Sequence, residues 1–518
     1  MKGRFLQFSI ILFYQFSLTY GQVLSEDTLD STFLVQPNRI EFEMGPKDGD
    51  FQIVPAKEQG LLVVKTTRVR SKDGWLWSFN MVDTTLNMTW TRVIPIQYGS
   101  NFLGYDHFGD SFFLLFGESN YKLEEMKVMR LNIKSGDYNY YDVNTVFPVQ
   151  LSEFEVVGNT LIFGGYANFR PVLMLYDMDE KKPKVLPGFY NNNSDIIELR
   201  VDDDTRTFTV ILNEKTFNKK ITVSIKTFTE KGTLLQTKAL ESDYEKSLID
   251  GVSTTFESGV QYVAGTYARR KSEYSRGLYL AKLKGGEQIL IKYHNYGDLE
   301  NFFSYMKEKR EQRVKDRINK RKVSGRKIKF NYRLLVHDIV ERDDEYILIG
   351  EAYYPKYSNY GSGAYYDAPY YENSRQNWID PNFIGYKYTH AVVVAFDRSG
   401  NILWDNSFEI NDVLSVQLSE FVKVSAEDDR IILLYIYENV LRSKIIEGAE
   451  ILEGKAFNPI ELKFQSDEIR ETNKEVEGLE KWYDKKFYAY GIQNIKNLRD
   501  SNVKLNRKVF YINKIEYK

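Results

Sequence analysis

Only four histidines occur, His107, His294, His337 and His390, and they are the first candidates for acid–base or metal chemistry. They are scattered, with no His-x-x-x-His pair and no companion carboxylate at a zinc-ligand spacing. His337 and His390 flank one tyrosine-rich stretch and are the pair that folding can bring together. There is no Cys, so thiolate metal sites, cysteine nucleophiles and disulfides are excluded. No Gly-x-Ser-x-Gly nucleophile elbow is present, and Gly361-Ser362-Gly363 is only a fragment of a phosphate loop. Two acidic runs, Asp202-Asp203-Asp204 and Asp343-Asp344-Glu345, suggest paired carboxylates or calcium. Both stand where hairpins favour Asp, and neither extends into a calcium loop with its distal Glu. The expectation is a chain without metal or cofactor and more a binder than a catalyst. An acid–base pair assembled from different repeats around a channel would leave no trace in local spacing.

The elements that would position such groups are repetitive. A short polar turn leads into a dense apolar strand eight times. Glu58-Gln59-Gly60 precedes Leu61 to Val64, and Phe108-Gly109-Asp110 precedes Phe112 to Leu115. Gly158-Asn159, Asp202 to Asp204, Glu257-Ser258-Gly259, Asp343-Asp344, Glu427-Asp428-Asp429 and Tyr483-Asp484 open the other six. Most units begin about fifty residues before the next, near the period of four-stranded propeller blades. The dense strand often ends in glycine, at Gly117, Gly164, Gly265, Gly350 and Gly491. Such a glycine permits a bulge or close backbone approach. A second turn follows in several units, as at Lys134-Ser135-Gly136-Asp137 and Asp397-Arg398-Ser399-Gly400-Asn401. The sextet Val149-Gln150-Leu151-Ser152-Glu153-Phe154 recurs letter for letter from Val416 to Phe421, and both copies are expected on the innermost strand of a unit. The last unit ends early, with Val509 to Ile512 as its third strand, so residues 33–44 are expected to supply its missing outer strand. These features predict an all-β fold: a β-propeller of eight blades, with seven as the alternative count, closed by an N-terminal strand and carrying a short helical insertion.

Aromatic residues make up 15% of the 518-residue chain, suited to pleated strands. Lys2 and Arg4, an apolar run over 5–16 and Thr19-Tyr20-Gly21 before Gln22 read as a secretory signal over 1–21. Residues 22–518 are then one propeller domain. Export without cysteine points to a bacterial periplasmic or secreted protein, with the periplasm preferred.

Two insertions depart from the pattern. Over 298–327, Leu299, Phe302, Phe303, Met306, Val314 and Ile318 recur at helical spacing. Residues 307–327 carry eleven Lys or Arg against three acids, in a chain whose net charge is −2. The candidate contact residues here are Arg310, Arg313, Arg317, Lys320 and Arg321, suited to an acidic protein, an anionic lipid surface or a polyanionic glycan. Nucleic acid fits poorly with export. Residues 353–388 hold ten Tyr, with Ser, Gly and Asn, the composition of adaptable contact loops. Tyr365, Tyr366, Tyr370, Tyr371 and Trp378 are the candidates in this stretch.

Ala395-Phe396-Asp397-Arg398-Ser399-Gly400-Asn401-Ile402-Leu403-Trp404 resembles the strand-turn-strand of quinoprotein-type propeller repeats. That likeness covers ten residues and implies no quinone. The stretch from Phe302 to Lys327 followed by the run from Phe330 to His337, and Tyr388-Thr389-His390 through Trp404 to Phe408, resemble the large exported β-propellers of Bacteroidota. This resemblance implies an envelope location and no activity. The expected function is a non-catalytic periplasmic scaffold that docks an outer-membrane or secretion-system protein. The alternative is a carbohydrate-binding protein or glycan-active enzyme using the channel or the tyrosine-rich rim.

Overall fold

The computed structural model describes residues 31, 33–119, 123–216, 218–270, 272, 274–326, 328–342, 345–358, 382–427, 429–498 and 503–518. Among them the chain is all-β, with one α-helix, α1 (Glu308–Val323), and two short 3-10 turns. Each dense apolar run is a strand: Leu61–Thr67, Ser111–Gly117, Thr160–Ala167, Thr207–Lys215, Val260–Arg269, Glu345–Tyr357, Arg430–Tyr437 and Lys486–Asn497. Every residue of Ser111–Gly117 and of Thr160–Ala167 is buried, as a continuous apolar run requires of a strand covered on both faces. The turn residues 343–344 and 428 lie outside the described residues.

The strands pair as antiparallel meanders. Asp48–Pro55, Leu61–Thr67, Trp75–Val82 and Met88–Ile96 form one sheet in chain order. The same order repeats along the chain, and the described strands make seven sheets. One of these has seven strands because Tyr138–Val157, 20 residues long, serves two meanders. Its first part pairs with Leu123–Asn132 and its second with Thr160–Ala167. In the last sheet Asp467–Tyr483, Lys486–Asn497 and Asn506–Tyr517 are joined by strands from the other end of the chain. Arg39–Glu43 pairs with Val509 to Asn513, and Leu34–Val35 pairs with Glu516 and Tyr517.

Apolar clusters link successive meanders. Leu114 packs with Leu62, Leu161 with Phe113, and Phe208 with Ile162. Val263 joins Ile211, Leu334 joins Leu278, Ile431 joins Ile347, and Phe487 joins Leu434. The last meander then meets the first, where Trp482 and Phe510 pack with Phe51 and Leu61. The ring pair Phe51–Phe510 is stacked at 4.2 Å.

Two expectations fail locally. The helix starts at Glu308, not at residue 298; Leu299, Phe302 and Phe303 are buried on turns ahead of it. Asp405 accepts the backbone N–H groups of Glu300 and Asn301 at 2.8 and 2.7 Å, which holds this stretch out of a helix. The repeated sextet takes two conformations. Residues 149–154 lie within the strand Tyr138–Val157, whereas 416–421 are irregular between Leu414–Ser415 and Lys423–Glu427. In the second copy Ser419 donates its N–H to the Tyr388 hydroxyl and Phe421 donates to Glu351, so no ladder forms.

Candidate functional site

The first strands of the meanders share a structural device. Six of them carry a register shift, four of these between Phe102 and Gly104, Leu151 and Glu153, Ile196 and Glu198, and Val336 and Ile339. A bulge bends its strand and re-aims the side chains beside it. Asp106, Glu155, Glu198 with Arg200, and Asp338 all stand on or just after these bulges. They converge on one cavity of about 510 Å³, which Lys57, His107, Asp203 and Trp482 also line. Six meanders contribute to it, which places it where the first strands face one another.

Its electrostatics are dominated by buried carboxyls. Asp106 accepts the N–H groups of His107 and Val156 at 2.7 and 2.6 Å. Glu155 lies within hydrogen-bonding reach of Asp106. Burial, then the neighbouring Asp106 charge, pushes Glu155 well above the usual carboxyl range, and burial raises Asp106 as well. Two N–H donors hold the anion on Asp106, so Glu155 keeps the shared proton at neutral pH. Burial pushes Glu153 up to about 7 and Glu198 up to about 8, the latter against the pull of Arg200. Arg200 bridges to Asp338 at 2.6 Å and donates to the Ser253 carbonyl at 2.8 Å. The cavity can thus offer a protonated carboxyl beside a carboxylate, the elements of acid–base chemistry. Among the described residues no group of three His, Asp or Glu is placed to hold a metal ion.

The histidines do not form a pair. His337 meets Glu351 at 2.8 Å, and that carboxylate also accepts the Phe421 and Val422 N–H groups. His390 pairs across the sheet with Ala352, whose side chain points away from that of Glu351. It stacks on Tyr305 at 3.8 Å, meets Phe302 edge-on, and shares a hydrogen bond of 2.9 Å with the Thr389 hydroxyl. His107 is half-buried at the cavity, with its Nε2 at 2.9 Å from the Gly109 carbonyl.

The aromatic box around His390 also anchors α1. Phe302, Phe303 and Ile318 are buried in the cluster that joins two meanders, with Val314 and Met306 packed against it. On the other side of the helix Lys309, Arg310, Arg313, Arg317 and Lys320 are exposed. At 100° per residue these five fall within an arc of about 100°, so they form one basic stripe. Arg321 borders it, half-buried. Glu308 and Glu311 in the first turn and Lys320, Arg321 and Lys322 in the last match the helix dipole. Of the tyrosine-rich stretch, Tyr353, Tyr354 and Tyr357 lie on one strand and Tyr386 and Tyr388 on its neighbour; these last two are core residues, not loop contacts. Tyr365, Tyr366, Tyr370, Tyr371 and Trp378 lie outside the described residues.

Burial pushes the His390 imidazole down to about 3, so the folded protein holds it neutral. Its unfolded counterpart charges below about 6.5, so the folded state loses stability as pH falls from there towards 3. The loss expected by pH 5 is about 2 kcal/mol. Denaturant midpoints at pH 7 and pH 5 should show that slope in the wild type, and a smaller one in His390→Gln.

No family model matches the chain, and no curated protein matches it. Solved structures similar to it include a prolyl endopeptidase, at 9% identity and a TM-score of 0.38, over 88% of this chain and 54% of that one. The chain thus spans about half the length of that peptidase. Others are the β-propeller domain of a trilobed protease from Pyrococcus furiosus, at 11% identity, TM-score 0.35, 78% of this chain and 99% of that one, and the polysaccharide lyase Uly1, at 9% identity, TM-score 0.39, 80% of this chain and 89% of that one.

Proposed function

We propose that this protein is an exported, periplasmic scaffold: an eight-bladed β-propeller, closed by its N-terminal strand, that docks an acidic partner of the bacterial envelope through α1. Eight successive meanders, each packed on the next and the last on the first, support the closed ring. The basic stripe of α1 carries the docking proposal. Its apolar side is sunk between two meanders, so the helix presents Arg310, Arg313 and Arg317 on a rigid mount. A mounted stripe loses little entropy on binding, and exposed cations steer an acidic partner into place. The tyrosine-rich stretch joins Glu345–Tyr357 to Phe383–Asp397, in one of the two meanders that hold α1, and is assigned to the same contact.

The test is affinity capture of the tagged protein from gently solubilised native envelopes, beside the variant Arg310→Glu, Arg313→Glu, Arg317→Glu. One stoichiometric protein partner is expected with the wild type, released by salt and lost in the variant at unchanged thermal stability. A variant that retains the partner overturns the proposal, and so does binding to anionic vesicles alone. A second reading, glycan binding or turnover in the channel, is favoured by the Asp106–Glu155 pair. A partnerless monomer that is stabilised by a glycan, with the effect lost in Glu155→Gln, would establish it.

A further inference from the structure

A second cavity, of about 640 Å³, opens away from both the channel and α1. It lies between the strand Tyr138–Val157, the hairpin of Thr160–Ala167 with Arg170–Asp177, and the link that runs on to Ser194–Asp202. Its size falls in the range of about 300–1,000 Å³ usual for small-ligand sites. Phe147, Pro171, Val172, Val185, Leu186 and Phe189 give it an apolar wall, and Gln150 and Asn168 add polar groups. A narrow apolar crevice continues from it along Phe147 and Val172, walled by Met126 and Met174, whose side chains adapt readily.

The mouth is built unusually. Ala167 pairs with Arg170, so Asn168 and Phe169 alone form the hairpin turn, at φ of 49° and 61°. Left-handed backbone suits Asn and Gly, but it is a strained conformation for a phenylalanine. The strained Phe169 side chain is 53% exposed, at the rim, facing the same opening as Tyr190, which is 51% exposed. Strain of this kind persists where it serves a site. Beside them Arg170 lies 4.5 Å over the Tyr190 ring and donates to the Asn192 amide oxygen, and neither partner carries a charge. The lining itself contains no charged residue; Arg170 adjoins it, between the lining residues Phe169 and Pro171 and against the Tyr190 ring.

An apolar cavity with an aromatic rim and a cation at its mouth fits one ligand chemistry. We infer that this cleft binds a small amphipathic anion, its apolar body against Phe147, Val172 and Leu186 and its carboxylate or similar head at Arg170.

Decanoate, kept below its micellar range, is the probe, and decanol is its neutral counterpart. Calorimetric titration and thermal shift of the full chain should show one saturable decanoate site. Arg170→Gln should weaken decanoate about tenfold or more, since a charge-assisted contact is lost, and leave decanol within about twofold. Gln150→Trp, which fills the cleft, should abolish both. Phe169→Gly relaxes the turn, so it should hold or raise the melting temperature while weakening both ligands. No saturable decanoate binding, or several molecules per chain unaffected by Gln150→Trp, overturns the inference. Decanoate binding unchanged in Arg170→Gln overturns the assignment of an anion.

Discussion

Arg507→Ala is expected to cost about 3–5 kcal/mol of stability, because it leaves the buried Asp467 carboxylate without its cation. Arg507 grips Asp467 with both nitrogens, at 3.0 and 2.5 Å, and reaches Glu41 at 3.2 Å. The Arg507 and Glu41 side chains are each 4% exposed, and that of Asp467 is fully buried. Glu41 sits on the N-terminal strand Arg39–Glu43, and the other two belong to the last meander. Arg39 extends the network to Glu41 at 2.8 Å and to the Gln493 and Asn513 side chains at 2.9 Å, and it stacks over Tyr511 at 4.4 Å. The ion network is therefore what distinguishes correct docking of the chain's two ends from any other strand addition at that edge. Desolvation works against the Asp467 charge, but Arg507 and Asn497 hold the carboxyl below its usual range. A depressed carboxyl adds stability above its unfolded pKa and loses it as pH falls through the folded value. Arg507→Ala should thus lower the denaturant midpoint most at neutral pH and flatten its decline towards acid. Limited proteolysis should cut residues 31–44 first in the variant. A midpoint within about 1 kcal/mol of wild type would show that strand pairing alone holds the ends together.

What was legible in the sequence is what depends on local pattern. The eight dense runs, the Gly136 and Gly400 turns with their positive φ, and pairing of the 33–44 segment with the last strand all follow from apolar periodicity and turn chemistry. The misreadings share one cause, the capture of backbone donors by distant side chains. Asp405 takes the N–H groups of Glu300 and Asn301 from more than a hundred residues away, and Glu351 takes those of Phe421 and Val422. A periodicity argument cannot see either carboxylate. The residues of the carboxyl-lined cavity went unread for a related reason. Asp106 and Glu155 belong to different meanders, 49 residues apart, and touch only because folding brings the first strands of those meanders together. One signal was available: each is an acidic residue three positions before the glycine of its unit's turn, Gly109 or Gly158. Polar residues recurring at one position of a repeat mark the face that the repeats turn towards a common axis.

The glycines of the dense strands, which apart from Gly117 lie inside their strands and not at the ends expected of them, connect the repeat to that axis, and Gly265→Ala should show it with the second large effect, a loss of about 3 kcal/mol or more. A Cβ at Gly265 would lie 2.2 Å from the Asp250 carbonyl oxygen and 2.7 Å from the Gly251 Cα. Both are backbone atoms, so no side chain can swing aside. They belong to the break between Lys246–Leu248 and Val252–Ser253, where the first strand of that meander leaves its ladder. Other meanders repeat the contact: a Cβ at Gly165 would meet the Gln150 carbonyl at 2.2 Å, and one at Gly350 the Leu335 carbonyl at 3.0 Å. In each case the glycine lets an irregular first strand lie flat on the second; beside Gly165 and Gly350 that strand also carries the cavity residues Glu155 and Asp338. Gly165→Ala should accordingly disturb the strand that holds Glu153 and Glu155. Gly454→Ala is the control, because it too lies within a strand and a Cβ there meets nothing within 4 Å. It should change stability by less than about 0.5 kcal/mol. Equal, small changes in Gly265→Ala and Gly454→Ala would mean that the backbone gives way at Gly265 at little cost and that the close approach there is not required. A large loss confined to Gly265 and Gly165 would tie the repeat's most visible sequence feature to the bulges that build its central cavity.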